Sequence, residues 1–117
     1  MIELYRGIFW AALIFALVMA VVPQPPELPG NPSDKLQHIV AFATLAALAS
    51  AGHPSTSLIK LLAGLSAFAG LIELIQMAPR LGRDADPVDW LAGTIGASLV
   101  LAVVWWRRGN QETETSR

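Results

Sequence analysis

Four long apolar stretches with few charged residues are the feature that most constrains this chain. They cover residues 4–22, 35–51, 58–77 and 89–106. A helix needs about 20 residues to cross the hydrocarbon layer of a membrane, so each stretch has nearly the length of one crossing. Only 15% of the 117 residues are charged, whereas a typical soluble domain has about 25%. The sequence therefore predicts an all-α fold, a four-helix transmembrane bundle with short loops, as one domain over residues 1–108.

Proline and charge mark the ends of the predicted helices. Five prolines lie within residues 23–32, and proline lacks a backbone donor and clashes with the preceding helical turn. Pro79 follows the third stretch, and two arginines follow the fourth. The remaining residues, 109–117, are polar and are predicted to form a disordered tail.

The first stretch has a second interpretation. Arg6 precedes an apolar core, and this pattern is also found in secretory signal peptides. However, the proline-rich segment that follows is a poor start for a mature soluble domain, and three more apolar stretches come after it. A membrane helix is therefore the preferred interpretation.

The distribution of lysine and arginine predicts the orientation. The side that carries both termini has Arg6, Lys60, Arg107, Arg108 and Arg117, and the opposite side has Lys35, Arg80 and Arg83. Because positive residues are enriched on the cytoplasmic side, both termini are predicted to be cytoplasmic.

The composition excludes several kinds of site and partner. The chain has no cysteine, which rules out disulfides, thiolate metal ligands and thiol catalysis. Its net charge of −1 gives no basic field that would attract nucleic acid. Membrane lipids are the expected partners, no nucleic-acid partner is expected, and the oligomeric state is left open.

Titratable residues concentrate at the outer side of the predicted bundle. Asp34 and His38 lie four residues apart and therefore share one helix face. Glu73 lies near the end of its helix and Asp89 at the start of the fourth, so alternating helices bring His38, Glu73 and Asp89 to one shallow layer. Because an ionised carboxylate that faces lipid is costly, Glu73 is predicted to face the bundle interior or a water-filled pocket.

The complete set of candidate pocket residues includes the flanking charges. It comprises Asp34, Lys35, His38, Glu73, Gln76, Arg80, Arg83, Asp86 and Asp89. Structural roles remain alternatives: Asp34 is a candidate N-cap, and Gln76 a hydrogen-bonding contact between helices. Asp86 and Asp89 would also favour the positive end of the fourth helix. No catalytic residue, cofactor or metal ligand is assigned.

Small residues recur at four-residue spacing in the fourth stretch. The pairs are Ala92 with Gly96 and Gly93 with Ala97. This spacing allows a neighbouring backbone to approach closely. Packing within one bundle is the preferred interpretation, and a dimer face is the alternative.

Two blocks between Asp34 and Gly96 resemble the VanZ-like family of small integral membrane proteins. The first, DKLQHIVAF, is similar to the family's Asp-Lys-x-x-His opening of a membrane helix at Asp34, Lys35 and His38. The second, ELIQ…GRDADPVDWLAGTIG, is similar to its Glu-x-x-Gln, its Arg, Asp and Asp, and its glycine-spaced helix. The matching positions are Glu73, Gln76, Arg83, Asp86, Asp89 and Gly96. Phe42 stands where a tyrosine is common, and Gly93 where the family often has asparagine.

The resemblance implies a multi-pass protein of the bacterial cytoplasmic membrane, with a role in the cell envelope and a link to tolerance of the glycopeptide antibiotic teicoplanin. It supplies no reaction. The expected function is to bind a phosphate-bearing lipid or cell-wall precursor head group in the outer-facing pocket. Arg80 or Arg83 would contact the phosphate, because the guanidinium fork is planar and bidentate.

Two other functions remain alternatives, and the sequence does not decide whether the chain is an enzyme. In an intramembrane enzyme, His38 and Glu73 would be an acid–base pair acting on a lipid-linked phosphate. Asp86 and Asp89 would then offer oxygen ligands to a divalent ion. A proton path through Glu73 and His38 lacks a matching carboxylate near the inner side.

Overall fold

The part of the chain that the structure describes folds into four α-helices. The computed structural model describes residues 1–22, 34–78 and 86–115, with the backbone alone for residues 34 and 111–115. The helices are α1 (Ile2–Val21), α2 (Asp34–Gly52), α3 (Leu58–Gln76) and α4 (Pro87–Thr115). No strand occurs in these ranges. The prediction of an all-α, four-helix bundle is confirmed.

The bounds of the first three helices differ from the predicted stretches by no more than two residues, whereas α4 is longer than predicted. It continues to Thr115, past the predicted end of the span at residue 106. The segment 109–115, which the sequence analysis assigns to a disordered tail, is therefore helical. Glutamine and glutamate in this segment are good helix formers and no proline interrupts it. The arginine pair before it ends an apolar stretch, but charge does not end a helix.

Three of the helices are long and apolar enough to cross a membrane. They are α1, α3 and Pro87–Asn110 of α4, with mean hydropathies of 2.0, 2.0 and 1.7. The less apolar α2 does not qualify, because its first turns carry Lys35, Gln37 and His38. Membrane association is therefore supported by three helices, and a crossing by α2 remains a prediction.

The less apolar α2 lies at the centre of the bundle. It packs against the other three helices and most extensively against α4. Phe42, Leu45, Ala46 and Ala49 are buried on α2, at the i, i+3, i+4, i+7 spacing of one helix face. A face with so many alanines lets the neighbouring helices approach closely.

Polar contacts show that the helices alternate in direction. Arg6 Nε donates a hydrogen bond of 2.6 Å to the Gly52 carbonyl, and Arg108 Nη2 one of 3.3 Å to the Ser50 carbonyl. The start of α1, the end of α2 and the C-terminal part of α4 thus meet at what we call the arginine end. Gln76 Nε2 donates to the Ala20 carbonyl at 3.1 Å, which brings the ends of α1 and α3 together at the opposite end.

The small residues of α4 pack against α2. Ala92, Gly93, Gly96 and Ala97 are all buried. A methyl group added to Gly96 would lie 2.5 Å from the carbonyl oxygen of Ile39, and one added to Gly93 would lie 2.9 Å from the ring of Phe42. The close approach thus occurs inside the bundle, and this face is not available to a second copy of the chain.

Apolar side chains cover the outside of the bundle while carboxylates lie within it. Phe15, Leu74 and Leu99 are 67%, 68% and 62% exposed. Glu73 and Asp89, in contrast, are only 8% and 3% exposed. This distribution is expected where lipid surrounds the protein, because an ionisable side chain in a membrane helix is least costly when it faces the bundle interior.

Candidate functional site

Three titratable side chains from three helices meet at the end of the bundle opposite the arginine end. They are His38 of α2, Glu73 of α3 and Asp89 of α4, and one nitrogen or oxygen atom from each lies within 4.8 Å of the other two. His38 Nε2 is 3.7 Å from Glu73 Oε1. The structure therefore brings together the three residues that the sequence places in one layer. We call them the acidic cluster, and this end of the bundle the acidic end.

The alternating helix directions put the three residues at similar depth. His38 lies one turn after the start of α2, and Glu73 one turn before the end of α3. Asp89 lies in the first turn of α4, where its backbone N–H donates a 2.8 Å hydrogen bond to the Asp86 carbonyl. A carboxylate in the first turn is also favoured by the positive end of the helix dipole.

The Glu73 carboxylate is held by one of its two oxygens. Its Oε2 accepts a hydrogen bond of 3.0 Å from the backbone N–H of Asp86. Its Oε1 lies on the side of His38 and has no hydrogen-bond partner within the described part of the chain. Because an unpaired buried polar atom is costly, Oε1 is the atom that a ligand would stabilise.

Asp86 caps α4. Its Oδ1 accepts a hydrogen bond of 2.9 Å from the backbone N–H of Val88, and its Oδ2 accepts one of 3.1 Å from Lys35 Nζ. The Val88 N–H and the Lys35 ammonium both lower the pKa of the Asp86 carboxyl below its usual value, so this group is ionised at neutral pH. Pro87 then occupies the first helical position, where its missing N–H costs nothing.

Lys35 connects α2 to the start of α4. Besides its bond to Asp86, its Nζ lies 3.5 Å from Asp89 Oδ1. The lysine side chain is 48% exposed, and exposed ion pairs add little to stability. Its main effect is to place one positive charge beside an otherwise acidic cluster.

Gln76 lies near this site but binds elsewhere. Its side chain donates to the Ala20 carbonyl in the last turn of α1, where carbonyls lack helical partners. It therefore forms the contact between helices that was the alternative to a pocket role. The Asp34 side chain, Arg80 and Arg83 lie outside the described residues.

Four polar contacts between helices are not predicted by the sequence. Arg6 and Arg108 both donate to carbonyls in the last turn of α2, where positive charge is favoured by the helix dipole. Trp90 Nε1 donates to the Ser66 carbonyl at 3.0 Å, and the Ser66 and Thr94 hydroxyls lie 3.0 Å apart. Because cations are favoured at helix C-termini, the sequence could have predicted that these arginines contact the end of a helix. Which helix they contact depends on the three-dimensional arrangement.

No family model, no curated protein and no solved structure matches the chain. The resemblance to the VanZ-like family therefore rests on its two sequence blocks. What the fold and the site define on their own is an all-α protein with three helices suited to a membrane and a buried acidic cluster at one end.

Proposed function

We propose that the protein is a VanZ-like, multi-pass protein of the bacterial cytoplasmic membrane with both termini in the cytoplasm. In this proposal its acidic end faces outward and binds the phosphate-bearing head group of a lipid or of a lipid-linked cell-wall precursor. Such binding would connect the protein to the cell envelope and to teicoplanin tolerance. The observation that carries the proposal is the acidic cluster: three titratable side chains between helices with apolar outer surfaces.

The depth of the acidic cluster supports the proposal. Glu73 lies three residues before the end of α3, which is about 5 Å along a helix axis. Lipid phosphates lie at this boundary between hydrocarbon and water. The exposed apolar side chains of Leu74 and Leu71 flank it and would contact the acyl chains of a lipid whose head group lies over the cluster.

Different charged groups of the site would bind different parts of the head group. Lys35 is half exposed and is the positive group of the described site. A phosphate would contact this ammonium, and the carboxylates would bind hydroxyl or amine groups of the same head group, since ionised carboxylates only accept hydrogen bonds. Arg83, which matches the VanZ-like pattern, would supply a bidentate phosphate contact.

The distribution of arginine supports the orientation. Arg6 and Arg108 both contact the end of α2, at the end opposite the acidic cluster. Positive residues favour the cytoplasmic side. An outward-facing acidic end follows from a cytoplasmic arginine end.

One distance favours a second candidate, an intramembrane enzyme. His38 Nε2 and Glu73 Oε1 lie 3.7 Å apart, and catalytic hydrogen bonds are often long before substrate binds. In that case the pair would act as general acid and base on a lipid-linked phosphate. Release of phosphate from such a lipid by the purified protein, lost in both His38→Gln and Glu73→Gln, would favour the enzyme over a binding protein.

Native mass spectrometry of the purified protein tests head-group binding. We expect a specific phospholipid or lipid-linked precursor on the wild type and much less of it on Glu73→Gln and Arg83→Ala. Glu3→Gln is the matched control, because Glu3 lies in the first turn of α1, near the arginine end. The same lipids in the same amounts on all four proteins would contradict the proposal.

A further inference from the structure

The geometry points to a metal site in the acidic cluster. We infer that His38, Glu73 and Asp89 together bind one divalent transition-metal ion of the Zn²⁺ or Mn²⁺ type. Each residue comes from a different helix, and their ligand atoms all lie within 4.8 Å of one another. The inference rests on these three side chains and not on the proposed lipid binding.

Two carboxylate oxygens of the acidic cluster are buried and lack hydrogen bonds. Glu73 Oε1 and Asp89 Oδ1 are enclosed and accept no hydrogen bond from any described residue. The 3.7 Å between His38 Nε2 and Glu73 Oε1 is too long for one. Because buried polar atoms in folded proteins are nearly always paired, two such oxygens on residues of one cluster indicate a ligand there. A cation satisfies both at once.

The separations fit a metal after small side-chain movements. Zn²⁺ binds imidazole nitrogen and carboxylate oxygen at about 2.0–2.2 Å, which places neighbouring ligand atoms about 3.0–3.5 Å apart. His38 and Glu73 are already close to this separation. Asp89 lies in the first turn of α4, and its ligand atom, which is within 4.8 Å of the other two, would move closer to them on binding the metal.

The donor set selects the kind of ion. Mg²⁺ and Ca²⁺ take oxygen ligands almost exclusively. One imidazole with two carboxylates instead suits Zn²⁺, Mn²⁺ or Fe²⁺, and the chain has no cysteine to offer a competing thiolate. Three protein ligands leave a coordination position for water or another ligand, as in catalytic rather than structural zinc sites.

The charges around the site are compatible with a dication. The two carboxylates balance its charge, and a neutral site is cheaper to bury than two anions. Lys35 Nζ is the competing cation, at 3.5 Å from Asp89 Oδ1. It also binds Asp86 at 3.1 Å, so it keeps a partner when the metal takes Asp89.

A group outside the ligand set orients Glu73. The Asp86 backbone N–H binds Oε2, which fixes the carboxylate with Oε1 toward His38. Hydrogen bonds to the second oxygen of a ligating carboxylate are a common feature of metal sites. The donor here is main chain, so this orientation survives substitution of the Asp86 side chain.

A metal titration of the protein tests the inference. The protein is purified without a histidine tag, stripped with chelator and titrated with Zn²⁺ by calorimetry. We expect one equivalent to bind. The chain has two histidines, which form a matched pair: His38→Gln should weaken binding by more than about 100-fold, since loss of partners outside a ligand set already costs about 10–100-fold. His53→Gln should bind like the wild type, because His53 Nδ1 contacts the Ala49 carbonyl at the arginine end.

Failure of the wild type to bind Zn²⁺ or Mn²⁺ stoichiometrically would overturn the inference, as would equal loss in both histidine variants. If His38→Gln does not fold, ¹⁵N-histidine NMR of the His53→Gln protein decides, because His38 is then its sole imidazole. A Zn²⁺-dependent shift of the His38 ring-nitrogen resonance is expected, and an unchanged resonance would overturn the inference. Lipid binding plays no part in either readout, so this result is independent of the proposed function.

Discussion

The backbone N–H of Asp86 donates a 3.0 Å hydrogen bond to the carboxylate of Glu73. This contact joins the residue before α4 to the last turns of α3, and it leaves the other Glu73 oxygen on the side of His38. A main-chain donor thus orients a buried carboxylate. The Asp86 side chain acts separately, because it caps α4 and binds Lys35.

Gly96→Ala should destabilise the bundle. Its added methyl group would lie 2.5 Å from the Ile39 carbonyl oxygen. Because this oxygen belongs to the backbone of α2, the clash is relieved only if α2 and α4 move apart. Overpacking of this kind costs about 1–3 kcal/mol. Gly64→Ala is the matched control, because nothing lies within 4 Å of its added methyl group. Reversible unfolding in mixed detergent measures both, and equal stability of the two variants would contradict the close packing of α2 and α4.

Arg6→Met should lower the stability of the protein by removing a hydrogen bond at the arginine end. Arg6 Nε donates a 2.6 Å hydrogen bond to the Gly52 carbonyl, and a charged hydrogen bond contributes about 1.5–3 kcal/mol when buried and less at a surface. We expect a loss of about 1 kcal/mol in the same unfolding assay. Arg107→Met removes a charge at the same end but leaves both carbonyl contacts in place. If it were as destabilising as Arg6→Met, net charge and not the contact would be the cause.

Lys35→Met should tighten Zn²⁺ binding. The ammonium lies 3.5 Å from Asp89 Oδ1 and repels a cation bound there, so its removal favours the metal. Lys60→Met, in the first turn of α3 at the arginine end, is the control and should leave the affinity unchanged. Weaker Zn²⁺ binding in Lys35→Met, measured by calorimetry, would show that the lysine organises the ligands and does not compete with the metal.

Cysteine labelling should show the two ends on opposite sides of the membrane. The chain has no cysteine, so each introduced thiol is unique. In intact cells an impermeant maleimide should label Met77→Cys, which lies just after α3 at the acidic end, but not Ser55→Cys, in the link between α2 and α3. Labelling of Ser55→Cys alone would reverse the proposed orientation, and labelling of both would contradict a membrane between them.

The bounds of α1, α2 and α3 could be predicted because the apolar stretches and the prolines beside them coincide with the helix ends. The helical extension of α4 to Thr115 is not predicted, because the arginine pair ends the apolar stretch but does not end the helix. The glutamine and glutamate residues after the arginine pair favour this extension, because both are good helix formers.

The acidic cluster could be predicted only as a layer. Helix direction and residue position place His38, Glu73 and Asp89 at one depth, but rotamers decide which atoms converge. The hydrogen bond from the Asp86 N–H to Glu73 depends on the path of the chain before α4. The periodicity of apolar residues does not predict that path. Gln76 shows the same limit, because position alone could not separate a pocket role from its observed bond to Ala20.

The most direct test of the central claim, that the acidic end binds a lipid head group, is to map where such a lipid lies. A phospholipid with a photoreactive group beside its phosphate is cross-linked to the protein in vesicles, and the adducts are located by peptide mass spectrometry. We expect adducts near Met77 and Trp90 at the acidic end, and a marked reduction there in Glu73→Gln. Adducts of equal yield around Pro54 at the arginine end, unchanged in Glu73→Gln, would contradict it.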